Sequence, residues 1–174
     1  IYQIQPVGVV VPRTEQDVRT AVAFARDERV PILPRGAGTS QCGQTVGNAL
    51  VLDFSKHLNR IVDYDPAARM VTVHPGVVLD DLNAMLKKDA LHFPVDVSTA
   101  AQATIGGMTG NNSCGARSIR YGNMVHNVLG IQAVLADGTM LQFGEVSGNL
   151  DNLASRPTLA DLVQAVRRIA RETD

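Results

Sequence analysis

The sequence predicts an α+β chain that begins with a strand–helix–strand unit and contains a β-hairpin near residue 137. Three observations predict this: a β-branched run at 7–11 stopped by Pro12, apolar residues at helical spacing behind it, and an Asp137-Gly138 turn between two apolar runs. With 174 residues, of which 45% are hydrophobic and 19% charged, the chain can form one domain or two small subdomains.

The first helix is predicted from a capping box. Thr14-Glu15-Gln16-Asp17 places Thr14 at the N-cap and lets the Asp17 side chain reach back to the backbone. The residues that repeat at helical spacing, and should therefore face the core, are Val18, Ala21, Val22 and Ala25. Proline at both ends of 31–34 forbids a helix and predicts a second strand. This order of elements predicts a right-handed βαβ unit.

The middle of the chain is predicted to contain short strands and one amphipathic helix. Residues 50–54 and 61–64 are predicted as strands around a turn, and 65–68 connects the second of these to a strand at 70–74. His74, in that last strand, is expected to be structural. The following helix is marked by Leu79, Leu82, Met85 and Leu86.

The last third is predicted as a hairpin followed by a helix. Residues 127–136 are apolar on both faces, as in a central strand, and Asp137-Gly138 turns the chain into a strand at 140–143. A second capping-box pattern, Thr158-Leu159-Ala160-Asp161, predicts a helix that runs towards residue 173. The apolar stripe of that helix contains Leu162, Val163, Val166 and Ile169.

Composition excludes two classes of partner. The net charge is −1, Trp is absent and aromatic residues make up 4% of the chain, so neither a basic surface nor a stacking platform for nucleic acid is expected. No apolar run has the roughly 18 residues of a membrane span. Cys42 and Cys114 lack the spacing of metal ligands, so we predict no metal site and a reducing, cytoplasmic setting. Because the first residue is Ile1, we expect a piece of a longer protein.

Two glycine-rich segments, 35–43 and 103–113, are predicted to be loops that lie against a phosphate-bearing cofactor. Successive backbone N–H groups in such segments can bind an anion, and Thr39 and Ser40 add hydroxyl donors. A Rossmann fingerprint would need Gly at Gln41, and a Walker loop would need a Lys that is missing here. Arg35 is either a phosphate partner or a solvated charge. The alternative for both segments is a connection without a ligand.

The amino-acid sequences of these segments and their order resemble those of a known family. The first motif is Pro34-Arg35-Gly36-Ala37-Gly38-Thr39-Ser40, and the second joins Pro94-Val95-Asp96 to Ala103-Thr104-Ile105-Gly106-Gly107 and Arg120-Tyr121-Gly122. Together they resemble the FAD-binding domain of the vanillyl-alcohol oxidase and p-cresol methylhydroxylase superfamily. The chain is most similar to the branch that contains D-lactate dehydrogenase and a subunit of glycolate oxidase. Residues 118–127 particularly resemble long oxidoreductases that fuse this domain to an iron–sulfur segment.

The resemblance implies a truncated, two-subdomain α+β fold of the p-cresol methylhydroxylase type, with FAD between the parts. Residues 1–56 would form a small βαβ subdomain and residues 57–145 a larger mixed one. Residues 146–174 would be a polar connection and a C-terminal helix.

The resemblance also implies the site residues. The first loop would give backbone amides to the pyrophosphate, the second segment would approach its other side, and Asn127 and Val128 would lie by the adenine. The cofactor-binding residues implied are Arg35, Gly36, Ala37, Gly38, Thr39, Ser40, Gln41, Asp96, Ser98, Thr104, Ile105, Gly106, Gly107, Gly110, Asn111, Asn112, Ser113, Asn127 and Val128. Relatives that bind flavin covalently carry His at the position of Thr39 or Cys near Gln102, so non-covalent FAD is predicted. Many relatives have Asp where this chain has His126.

The function implied is that of an FAD-dependent oxidoreductase acting on CH–OH groups, of the D-2-hydroxy-acid dehydrogenase type. The substrate pocket and base would lie in a cap domain outside this chain, so no catalytic residue is assigned. An iron–sulfur cluster would lie elsewhere, the electron acceptor is not indicated, and membrane attachment would be peripheral, through partners. Weak or absent FAD is expected in the isolated chain.

Three alternatives to that function remain open. One is a non-redox enzyme resembling alkylglycerone-phosphate synthase, and a second is a flavin reductase resembling the one that acts on a peptidoglycan precursor. The third is a scaffold that has lost flavin.

Overall fold

The computed structural model describes residues 2–146, 153 and 156–173, and its contacts divide the chain into two units. The first unit contains Ile1–Val128 and Ala136–Gly138, and the second contains Leu129–Leu135 and Thr139–Asp174. The subdomain boundaries after residues 56 and 145 stay predictions. Within the described ranges, no helix combines the length and the apolar character needed to cross a membrane.

A three-stranded parallel sheet opens the first unit. Strand β1 (Gly8–Val10), helix α1 (Glu15–Asp27), β2 (Ile32–Arg35) and β3 (Leu50–Asp53) follow in sequence, and the sheet order is β1–β3–β2. The predicted strands are confirmed. Strands β1 and β2 do not pair with each other: β3 lies between them and pairs parallel with both. Its three leucine and valine residues are buried, as expected for the middle strand of a parallel sheet.

The capping box of α1 is confirmed. The Asp17 backbone N–H donates to Thr14 Oγ1 at 3.2 Å, and the Thr14 N–H donates to Asp17 Oδ2 at 2.9 Å. Because Asp17 also accepts from the Arg13 N–H, these backbone hydrogen bonds lower the pKa of its carboxyl group. The predicted apolar face is buried, at Val18, Ala21, Val22 and Ala25.

The rest of the first unit is an antiparallel hairpin followed by helices. Strands β4 (Ile61–Asp65) and β5 (Met70–Val73) pair as predicted, but β4 does not neighbour β3, which is in the other sheet. Helix α2 (Leu79–Leu86) continues as a 3₁₀ turn at Lys87–Asp89. Three short helices follow: α3 (Ile105–Gly110), α4 (Ser118–Tyr121) and α5 (Met124–Asn127).

One apolar core joins α2, α3 and α5. It contains Val77, Leu79, Leu82, Leu86, Val95, Ala103, Ile105, Met108 and Met124, with the β4–β5 hairpin packed at its edge. Residues 91–97 are irregular, and Val95 anchors them because its side chain is fully buried.

The second unit contains a hairpin and a helix. Strands β6 (Gly130–Val134) and β7 (Met140–Gly144) pair antiparallel around the predicted turn. The prediction of a central strand at 127–136 is wrong: residues 124–127 are helical, and β6 pairs only with β7 among the described residues. Helix α6 (Pro157–Glu172) is confirmed, but Arg156 is its N-cap, so Thr158 lies inside the helix. Most of the predicted polar connection, 147–152 and 154–155, lies outside the described residues.

Candidate cofactor site

The first glycine-rich loop follows the carboxyl end of β2, the edge of a parallel sheet where ligands bind in open α/β folds. Arg35 is the last residue of that strand, and its carbonyl accepts from the Phe54 N–H at 3.0 Å. Gly38 has a φ of +72°, and a Cβ built there would lie 2.7 Å from Arg35 Nε. The Arg35 guanidinium therefore folds back over the loop, where its positive charge is available to an anion.

The backbone of this loop has unused donors. None of the N–H groups of residues 36–42 donates a hydrogen bond to another residue within the described part of the chain. Residues 36–38 are only half-exposed, whereas Thr39 and Gln41 are exposed. Because backbone N–H groups normally find an acceptor, a run of free ones at a sheet edge is suited to water or to an anionic ligand.

The second glycine-rich segment is a helix, and our expectation of a loop there is wrong. Thr104 is the N-cap of α3, and its Oγ1 accepts from the Gly107 N–H at 3.3 Å. Ile105 and Met108 on one side of the helix enter the core. The cap and this burial offset the low helix propensity of Gly106, Gly107 and Gly110.

The amides at the start of α3 already have partners. The Ile105 N–H donates to the Val77 carbonyl at 2.8 Å, and the Gly106 N–H donates to the Pro75 carbonyl at 2.8 Å. With Gly107 bonded to Thr104, all three amides are used inside the protein. This segment can therefore approach a ligand through its bare glycine surface. In particular, a Cβ built on exposed Gly110 would meet nothing within 4 Å.

The structure brings the two segments into contact. A Cβ built on Gly36 would collide with Thr104 Oγ1 and would lie 3.1 Å from Thr104 Cβ. The two glycine-rich segments, which lie far apart in sequence, thus meet at one place beside the sheet edge. This is the arrangement that binding of one diphosphate by both segments requires.

Asp96 is tied to the chain that follows α3. Its Oδ1 accepts from the Arg117 N–H and its Oδ2 from Arg117 Nε, both at 3.1 Å. Partial burial raises the pKa of Asp96, but the hydrogen bonds from Arg117 outweigh it and lower the pKa below the ordinary value. A Cβ on Gly115 would strike the Asp96 carbonyl, so the two segments pack backbone against backbone.

The predicted asparagines have structural partners. Asn111 Nδ2 donates to Ser113 Oγ at 3.1 Å, Asn112 Oδ1 accepts from the Val125 N–H at 3.0 Å, and Asn127 Nδ2 donates to two carbonyls. Ser98 is exposed, and Val128 packs against the core. No described contact joins Ser98, Asn127 or Val128 to the loop at 36–42.

His126, whose role the sequence leaves open, caps a helix. Its Nδ1 accepts from the Asn123 N–H at 3.0 Å, so it completes the capping box of α5. An Asp side chain at this position could accept the same hydrogen bond.

Sequence reasoning missed the part played by the Pro75-Gly76 turn. The Gly76 N–H donates to the Leu58 carbonyl at 2.8 Å, while the Pro75 carbonyl holds the first turn of α3. A Pro-Gly pair after a strand was a sufficient signal for a turn, but not for what the turn contacts.

A family model described as "FAD binding domain" matches residues 6–144. The chain is 39% identical over 162 residues to D-2-hydroxyglutarate dehydrogenase of Pantoea ananatis, covering 91% of this chain and 16% of that protein. It is 37% identical over 145 residues to glycolate oxidase subunit GlcD of Bacillus subtilis, covering 82% of this chain and 31% of the relative. The chain thus spans less than a third of the length of either relative, and these matches confirm the resemblance.

The fold also occurs in a solved structure titled alkyldihydroxyacetonephosphate synthase. The TM-score is 0.70 at 21% identity, and the match covers 80% of this chain and 26% of the other. At this identity the likeness shows a shared fold and says nothing about chemistry. The predicted fold class is confirmed.

Proposed function

The chain belongs to the FAD binding domain family, and we propose that it carries the flavin of a dehydrogenase acting on a D-2-hydroxy acid. The observation that carries this proposal is the set of N–H groups at 36–42 that have no partner among the described residues, placed where Gly36 meets Thr104. These residues fit a diphosphate because they offer several donors and no acidic side chain at the loop.

The proposed contacts divide by segment. Residues 36–42 supply amides to the diphosphate and Arg35 supplies positive charge. Thr104–Gly107 and Gly110–Ser113 supply a surface close enough for the other side of the diphosphate and the ribityl chain. The segment containing Asp96 and Ser98 would lie near the same cofactor, and Asn127 and Val128 would contact the adenine end through the main chain.

When bound, FAD would supply the acceptor for one hydride, which carries two electrons, from the substrate carbon. This chain contributes binding and orientation. Because Thr39 and Gln102 cannot form the covalent flavin links that His or Cys form, we propose that FAD is held non-covalently. Acid precipitation of the whole protein should release all of its flavin into the supernatant, and flavin retained in the pellet would contradict this.

The substrate class is inferred from the relatives. Two relatives, which are 39% and 37% identical to this chain, are named for D-2-hydroxyglutarate and glycolate. Both substrates are 2-hydroxy acids, so we propose a small 2-hydroxy acid bound mainly outside this chain. We also propose a cytoplasmic protein, because both cysteines are exposed and free. The iron–sulfur segment stays a prediction.

The first experiment tests the cofactor site. The whole protein is purified, its FAD content is measured, and amide hydrogen exchange is compared with and without FAD. We expect amides at 36–42 to become protected by FAD, whereas amides at 105–107 are already protected without it. A protein that never retains FAD would remove the flavin proposal. If FAD protected amides elsewhere and left those at 36–42 unchanged, the cofactor site would lie at those other residues.

The second experiment tests the reaction. The whole protein is assayed for dye reduction with the D- and L-forms of 2-hydroxyglutarate and lactate. Glycolate, which is achiral, is assayed beside them. We expect reduction with one or more D-acids and none with their L-forms. A protein that holds FAD but responds to no hydroxy acid would remove the dehydrogenase proposal and leave the cofactor proposal intact.

A further inference from the structure

The contact between Gly36 and Thr104 is unusually tight for two residues on different segments. A Cβ on Gly36 would collide with Thr104 Oγ1, and it would lie 3.1 Å from Thr104 Cβ and 3.3 Å from Cγ2. The whole Thr104 side chain therefore lies against the bare Cα of Gly36. Only 2% of Thr104 is exposed, so the hydroxyl is a buried polar group at this junction.

Thr104 is held firmly from its own side. It forms an antiparallel bridge with Val78, and the flanking Leu79 and Ile105 amides bond to Ala103 and Val77 at 3.0 and 2.8 Å. Its Oγ1 accepts from the Gly107 N–H. A side chain fixed in this way can limit how closely a neighbouring segment approaches, because moving it requires breaking the bridge and the cap.

The loop at 36–42, which contacts Thr104 through Gly36, is held by fewer hydrogen bonds. The N–H groups of 36–42 form no hydrogen bonds with other described residues, so little in the backbone fixes their direction. From this asymmetry we propose that Thr104 is a positioning residue: its side chain sets where Gly36 lies and thereby orients the free amides of the first loop. This rests on the proposed FAD site and assigns Thr104 a role through Gly36 and not through a bond to the cofactor.

The proposal predicts coupling between the two positions. In the whole protein, G36A should push the loop away from Thr104 and raise the Kd for FAD about tenfold or more. T104A removes both Oγ1 and Cγ2 and leaves Thr104 Cβ at 3.1 Å, so the double variant G36A/T104A loses the collision with the oxygen and keeps only a tight carbon contact. It should bind FAD more tightly than G36A alone. G36A/T104S should not recover, because Ser keeps the oxygen that the methyl group strikes.

Each Kd is measured by flavin fluorescence well below the Tm of the corresponding apoprotein, so that loss of affinity is separated from unfolding. G47A is the matched control, because a Cβ there meets its nearest atoms at 3.9 and 4.0 Å. It should bind FAD as the wild type does.

Recovery in G36A/T104A but not in G36A/T104S supports the proposal, even if G36A alone fails to fold. Three results would overturn it: wild-type affinity in folded G36A, effects of G36A and T104A that simply add, or equal recovery with Ala and Ser. Absence of FAD from the wild-type protein would instead refute the proposed function, so the two failures are distinguishable.

Discussion

Replacing Gly110 with Ala tests whether a glycine is kept for a ligand or for the protein. Gly110 is the exposed last residue of α3, and a Cβ built on it meets nothing within 4 Å. Its φ lies outside the left-handed region, so Ala is compatible with the backbone there. The protein itself therefore has no steric need for glycine at this position.

The expected effects on the apoprotein and on FAD binding have opposite signs. Ala in place of Gly stabilises a helix interior by about 0.5–1 kcal/mol, and less is expected at the last residue of a short helix. The apoprotein Tm should therefore stay the same or rise slightly. If the cofactor lies against Gly110, the added methyl group costs about 1–3 kcal/mol of fit. This corresponds to a Kd for FAD that is roughly 5- to 150-fold higher.

The assay compares wild-type and G110A whole protein by flavin-fluorescence titration and by apoprotein melting. G47A is again the control, since its methyl group makes only ordinary van der Waals contacts, at 3.9 and 4.0 Å, and residue 47 lies outside the loop at 36–42. An unchanged Kd for FAD in G110A would show that the cofactor does not approach this face of α3. A large fall in apoprotein Tm would show that the space beside Gly110 is used by the protein.

Three further predictions concern the parts that hold the site. D96N should weaken the link to Arg117 and lower the free energy of unfolding. Because the folded-state pKa of Asp96 is lowered, the stability that its carboxylate contributes is present above the ordinary pKa and is lost as the pH falls through the folded-state pKa. The stabilities of wild type and variant, measured by acid unfolding, should therefore converge at low pH. H126A should increase amide exchange at Asn123, whereas H126D should restore protection because it keeps an acceptor there. T14A should lower the free energy of unfolding of α1 by about 1 kcal/mol, measured by hydrogen exchange, without changing the Kd for FAD.

The elements that were predictable from sequence are those with local causes. The Thr14 capping box lies within four residues, and the turn at Asp137-Gly138 needs only its own two residues and the strands beside them. The apolar face of α1 repeats at helical spacing, and burial followed it residue by residue. In each case the deciding interactions lie within one element, so tertiary contacts had nothing to override.

The errors lie where tertiary packing decided the outcome. Residues 105–110 contain three glycines, which favour a loop, but burial of Ile105 and Met108 stabilises a helix. The apolar run at 127–136 indicates a surface suited to burial without specifying its partner, and β6 pairs with β7 alone in the described chain. The sheet order likewise depends on β3, whose place between β1 and β2 no local pattern specifies.

The candidate site shows the same division between chemistry and placement. The glycine-rich composition identified two segments capable of approaching a phosphate. It did not indicate that the two segments would differ in how many amides they have available for a ligand. In the structure the second segment uses its first three amides on Val77, Pro75 and Thr104, whereas the amides of the first loop donate to no residue in the part of the chain that the structure describes. In the proposed site, the donors to the diphosphate would therefore come chiefly from residues 36–42, and the second segment would lie against the ligand without donating from its first three amides. If the first loop is the main donor, as we propose, its orientation against Thr104 sets how many of its amides can reach the ligand.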